Sequence, residues 1–199
     1  MGFFSSIFRR KTDLDAKFES VLGWPPHMAM SQDEIRTIAV MASRIQFNER
    51  HIMRPQLMRE MQQHHLELVF QKTRENDGVI HDINQDSVIC LFNAWLDQPR
   101  PALLAAQTAI SVFCQSPIQI HDGSEALKVE LSIAIDAGPM LRSSVGDDKR
   151  KAFVFFGKPF QAVDQLSRIA TARILISEGV AASVREALTP LEWKRFEIR

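Results

Sequence analysis

The stretch that most constrains this chain is residues 78–93, GVIHDINQDSVICLFN. Two short apolar runs, Val79–Ile83 and Ser87–Phe92, flank the polar triplet Asn84-Gln85-Asp86. Asn and Asp favour tight turns because their short side chains bond the local backbone, so the pattern predicts a β-hairpin. A carboxylate at such a turn is held by rigid backbone at the mouth of a sheet, where it could meet a metal ion or a phosphate-bearing ligand. An ordinary hairpin turn carries the same residue for purely local reasons.

Around the hairpin, strand-like and helix-like segments alternate. Residues 35–42 have the β-branched content of a buried strand. Residues 55–76 follow as a long helix with Pro55 in its first turn and Leu57, Met58, Met61, His65, Leu68 and Val69 as its apolar stripe. His64 and His65 diverge on that helix and have no ligand partner one turn on, so both read as structural. A second helix runs from Pro99–Pro101 to Cys114 with Leu103, Ala106, Ile110 and Phe113 at helical spacing.

Residues 127–135 alternate as a strand, Asp136-Ala137-Gly138-Pro139 reads as a turn, and residues 140–145 return as its partner. A strand at 152–156, a helix from Lys158 to about Thr171, a strand at 173–177 and a helix at 179–188 complete the order. The expected fold class is α+β, a mixed, mainly antiparallel sheet with helices packed mainly on one face. The domain division is an N-terminal amphipathic segment and linker over 1–34, the main domain over 35–188, and a tail or edge strand over 189–199.

The 199 residues suffice for one well-buried domain with an appendage. Lys+Arg 24 cancels Asp+Glu 24, which argues against a nucleic-acid surface. Cys90 and Cys114 read as buried small hydrophobes, with neither disulfide nor zinc spacing. No apolar run is long enough to span a bilayer and no secretory signal is visible, so the expected location is cytoplasmic. Phe3, Phe4, Ile7 and Phe8 beside Arg9, Arg10 and Lys11 form an anchor-like start suited to peripheral contact with a membrane surface or a partner. The competing reading is a terminus tucked against its own domain.

Three blocks then resemble the catalytic domain of class III adenylate and guanylate cyclases: INQDSVICLF after Gly78, SIAIDAGPMLRSSVG, and FVFFGKPFQAVDQLSRIATARILIS. They are similar to the family's central metal-binding hairpin, its "I-G-I-H-x-G" strand with the returning strand, and its "Y-x-V-x-G-x-x-V-N-x-A-x-R-L" helix followed by "I-L-I-S". The resemblance covers about residues 35–188 and implies the ferredoxin-like cyclase sandwich. It also implies a head-to-tail dimer and attack on the α-phosphate of a nucleoside triphosphate by its own 3′-hydroxyl. Two aspartates would hold two metal ions, which activate the hydroxyl and neutralise the triphosphate.

Carried over position by position, most of that machinery is replaced. The first metal aspartate falls at Ser43, and the second is retained as Asp86. The base-selecting lysine falls at Asp82, or at His81 if the register slips by one, and its partner falls at Val154. The ribose-orienting asparagine falls at Gln161 and the transition-state arginine at Gln165, with Arg168 one turn later. Asp82 and Asp136, the latter where the family often has histidine, are the alternative metal ligands. Losing one preorganised charge stabiliser typically costs a factor of about a hundred to a thousand in rate.

The resemblance therefore implies a catalytically inactive domain serving as a regulatory or protein-interaction module, with Asp86 a vestigial metal position. The expected partner is a protein, in a homodimer or heterodimer, with no nucleic acid. No cofactor is expected. Mg or Mn enters only under the alternative, a divergent cyclase making a cyclic nucleotide from ATP or GTP, either by itself or only as a heterodimer with a complete partner.

Overall fold

The structure is a computed structural model that describes residues 33–46, 54–116, 118–122, 125–146 and 151–188. Residues 1–32 of the expected N-terminal segment and linker, with the anchor-like start, and the tail or edge strand expected over 189–199 lie outside these residues.

The central strand is β1 (Glu34–Ile45), whose Ile38, Ala39, Val40 and Met41 are fully buried because both sheet faces are covered there. The predicted hairpin forms as β2 (Val79–Ile83) and β3 (Ser87–Phe92). Next come the hairpin of β4 (Ile118–Asp122) and β5 (Glu125–Val129), then β6 (Leu131–Gly146), β7 (Lys151–Phe156) and β8 (Ile174–Ile176). The main sheet has the order β2-β3-β1-β6-β7, with β8 pairing alongside β6. Among the described strands of this sheet only the β6–β8 pairing is parallel.

Among the described residues four helices cover the sheet: α1 (Pro55–Glu75), α2 (Pro101–Phe113), α3 (Lys158–Ile169) and α4 (Glu178–Val184). On the first face α1 buries Leu57, Met61, His65, Val69 and Thr73, one residue per turn. Beside it α2 buries Ala102, Ala105, Ala106, Ala109 and Val112. That stripe lies on smaller residues than expected: Leu103, Ile110 and Phe113 are half-buried at its edges, and the alanines let the helix approach the sheet closely. Val180 and Val184 of α4 join the same core. The second face carries α3, with Val163 in one apolar cluster with Val40, Trp95 and Phe155.

Strand order fixes the shape of that second face. Three strands separate β2 from β7, about 19 Å in a flat sheet. The ring of His81 on β2 nevertheless lies 5.4 Å from that of Phe155 on β7. The sheet curls so that β7 folds back over the second face, and Trp95 fills the hollow against Phe153 and Phe155.

Several expectations change. The turn expected at 136–139 is absent: β6 runs unbroken and pairs with β1 from Leu131 to Arg142. Pro139 lies beyond the segment paired with β8 (Ile133–Ile135) and before the segment paired with β7 (from Leu141), so its missing N–H breaks no ladder on that edge. The strand expected over 127–135 divides at Glu130 into β5 and β6. Cys90 is buried as expected, but Cys114 is exposed because it follows the last buried position of α2. Ile35, expected inside, is exposed because β1 begins before the helical layer covers it.

Gly78, which opens the hairpin, is required by crowding. A Cβ there would stand 2.6 Å from Phe92 Cε1 and 2.7 Å from Thr73 Cγ2, both in packed core. Gly78→Ala is expected to cost about 1–3 kcal/mol in urea unfolding. A loss within experimental error would show that the two side chains move aside freely.

Candidate functional site

Successive side chains of a strand point to opposite faces, and on β1 this separates Ser43 from Arg44. Ser43 turns to the first face, where its hydroxyl lies 2.8 Å from Nε2 of His65 on α1. Both groups are buried, and burial lowers the His65 pKa to about 4, so the imidazole is neutral at pH 7. Thus His65, read from sequence as structural, satisfies the serine at the position matched to the first metal aspartate.

Arg44 turns to the second face and meets the hairpin turn. Its Nη1 donates to Asp86 Oδ2 at 2.5 Å, while Ile45 N donates to the Asp86 carbonyl at 2.8 Å. Its other terminal nitrogen stands 4.0 Å from Asp164 on α3, and Asp164 accepts from Arg168 Nε at 3.1 Å, one helical turn on. The Asp164 carboxylate, by hydrogen bond and charge, and more weakly Asp86 raise the Arg168 pKa. These groups line an open cleft of 290 Å³ with Ala42, Asn84, Ser87, Ile89, Val163 and Ser167. Its four charged side chains are two acids and two bases.

The remaining candidate positions do not converge on this cleft. Asp82 is exposed and accepts from Ile83 N at 2.9 Å and Asn84 Nδ2 at 3.0 Å, which braces the turn. The ladder is irregular between Ile80 and Asp82, so His81 is the extra residue and turns inward, 5.0 Å from the Phe160 ring. Val154 is half-buried on the sheet face opposite Phe153 and Phe155. Gln161 and Gln165 are exposed on α3 and do not line the cleft. Asp136 accepts from Ser177 Oγ at 2.5 Å, and Ser177 also caps α4 by accepting from Val180 N. Asp136 pairs with Val40, four residues up β1 from Arg44, a separation of about 13 Å. That is too far to share an ion with Asp86.

Sequence reading missed Arg44 and Asp164. The signal for Arg44 was present: a guanidinium just after the apolar run Ile38–Ala42 of the central strand needs a carboxylate partner. The signal for Asp164 was its spacing from Arg168.

No protein-family model matches the sequence, and no curated protein does. Solved structures do match. The adenylyl cyclase CyaB from P. aeruginosa superposes with a TM-score of 0.65 at 16% identity, over 78% of this chain and 83% of that one. The catalytic core of a rhodopsin-guanylyl cyclase with converted specificity, solved with ATPalphaS, gives 0.66 at 14% identity over 79% and 86%. The monomeric guanylyl cyclase domain of the RhoGC fusion protein from Blastocladiella emersonii gives 0.64 at 14% over 78% and 90%.

The fold is the class III cyclase catalytic fold. At these identities the likeness extends to the fold alone.

The cyclase fold raises the question of metal. A two-ion site needs two converging carboxylates with free lone pairs. Here the serine bonds His65 on one face, and the Asp86 carboxylate bonds a guanidinium on the other. Among the described residues no group of three or more His, Cys, Asp or Glu side chains could hold an ion. The donor set does not fit a two-metal centre. Among the described residues, too, no helix is long and apolar enough to cross a membrane.

Proposed function

We infer that this chain is a catalytically inactive cyclase-like domain that acts as a regulatory or protein-interaction module. The observation that carries the reading is the ion pair between Arg44 and Asp86. The guanidinium occupies the one carboxylate retained from the pair expected to bind metal, and supplies locally the positive charge an ion would bring. Ser43, bonded to His65, offers no second carboxylate. Asp82, Val154, Gln161 and Gln165, the positions matched to base and ribose recognition and charge stabilisation, lie outside the cleft lining. Together these features support retention of the fold without its chemistry.

Residues 35–188 form the working domain in this reading, and residues 1–11 provide peripheral placement near a membrane or a partner complex. Association as a homodimer or heterodimer is part of the reading, since the RhoGC cyclase domain has been solved in a dimeric form. The alternative is a divergent nucleotidyl cyclase that completes its site with a second, intact subunit and Mg or Mn. It draws on the openness of the cleft beside Asp86.

One assay separates the two. Purified full-length protein incubated with ATP or GTP and manganese is expected to give no cyclic nucleotide above the protein-free control. Cyclic product that Asp86→Ala abolishes would overturn the inactive reading.

A further inference from the structure

The cleft beside Asp86 holds more hydrogen-bond donors than its own residues use. Ser87 on β3 lies directly across from Arg44, so both side chains are on the second face. Among the described residues the Ser87 hydroxyl bonds nothing, and the buried Nε of Arg44 has no partner. Nη2 of Arg44 stands 4.0 Å from Asp164, past hydrogen-bond range. On α3, Arg168 spends only its Nε, which donates to both Asp164 oxygens at 3.2 and 3.1 Å. Its terminal nitrogens bond nothing among the described residues, and its side chain is 65% exposed. Acceptors are scarcer, since Arg168 takes both Asp164 oxygens and Arg44 takes Asp86 Oδ2.

That imbalance selects the ligand. A guanidinium carries N–H donors and no acceptor, so the unused positions call for an oxyanion rather than a cation. The four charged side chains of the cleft cancel, so the ligand's own charge must be small. A single carboxylate matches the fork of a guanidinium through parallel bonds. A polyphosphate would bring several charges beside Asp86 and Asp164 with nothing to balance them. The uncharged lining includes an apolar part, where Ala42 lies across from Ile89 and Val163 is contributed by α3. The 290 Å³ of the cleft is near the small end of ligand sites, about 300–1,000 Å³.

We propose that this cleft binds a small organic monocarboxylate. Its oxygens meet the free nitrogens of Arg168 and the Ser87 hydroxyl, and its hydrocarbon part lies on Ala42, Ile89 and Val163. The proposal rests on the reading of the domain as a regulatory module and names the class of ligand that regulates it. The bound acid bridges Ser87 at the start of β3 to Arg168 on α3, so occupancy couples the hairpin to the helix of the second face.

Benzoate titrated into isotope-labelled full-length protein, with chloride exchanged to hold ionic strength fixed, tests this through backbone amide shifts. Saturable shifts at Ser87, Val163 and Arg168 are expected, with a dissociation constant on the order of millimolar. Arg168→Gln is expected to weaken binding about tenfold, the loss of one charged hydrogen-bonding partner. Asp164→Asn, which frees Arg168 and removes a repelling charge, is expected to tighten binding several-fold, a gain that misfolding could not produce. Both side chains are more than half exposed, so both variants keep the fold. Benzamide, the uncharged analogue, is expected to leave the spectrum unchanged, and acetate to bind more weakly than benzoate. No saturable shift with benzoate, equal shifts with benzamide, equal affinity for acetate, or equal affinity in the three proteins would each overturn the proposal. Tighter binding of inorganic phosphate or ATP would also overturn it, assigning the cleft to phosphate-bearing ligands. The titration contains no metal and measures no product, so its failure leaves the inactive reading standing, and that reading fails only if the cyclase assay yields product.

Discussion

Lowering the pH from 7 to 4 is expected to remove about 3 kcal/mol of stability through His65 alone. The ordinary histidine pKa of 6.5 applies to the unfolded chain, and burial lowers the folded value to about 4. Above pH 6.5 the ring is neutral in both states and its contribution is fully present. Between 6.5 and 4 the unfolded chain takes up a proton that the folded chain refuses, so stability falls as pH falls through that window. Urea midpoints at pH 7, 5.5 and 4 measure the loss. In His65→Gln, which does not titrate and retains a side chain able to bond Ser43, the decline is expected to be shallower by that amount. An equal decline in both proteins would mean that His65 is hydrated in solution and that the Ser43 contact is not closed to water.

Phe92→Ala is expected to cost about 3–5 kcal/mol, the range for deleting a buried aromatic ring that the surroundings cannot replace. Phe92 is fully buried at the end of β3, where its ring edge crowds Gly78. Against a typical total of about 5–15 kcal/mol, this loss brings the domain near its unfolding threshold at 37 °C. The urea midpoint is expected to drop with little change in slope. A cost below about 1 kcal/mol would show that the hairpin closes over the vacancy, as a loosely held edge would.

The hairpin was legible because its instructions are local. Two apolar runs around Asn84-Gln85-Asp86 fixed both strands, and β2 and β3 have the boundaries read from sequence. Asp136-Ala137-Gly138-Pro139 carries equally strong turn chemistry and was read as a turn, but it lies within β6. There β1 pairs with the full segment, and local preference yields to the ladder. The β4–β5 hairpin, in which Asp122 pairs with Glu125, was missed although the sequence carries Asp122-Gly123, a dipeptide that commonly turns hairpins. Asp86 was singled out by its turn and Ser43 through resemblance, but nothing local paired them with their partners His65 and Arg44, which are 22 and 42 residues distant.

The hairpin of residues 78–93 now has a more definite meaning than an acidic turn. By itself the sequence determined the alternation of strands and helices, the turn that presents Asp86, and the replacement of most residues matched to the cyclase machinery. Only the tertiary structure decided what Ser43 and Asp86, the two positions matched to the metal aspartates, meet. A strand's period of two sends Ser43 and Arg44 to opposite faces, and the packing of α1 and the hairpin determines what each one meets there. Arg44 consequently reaches Asp86, and the carboxylate at the turn is bound to the protein's own cation.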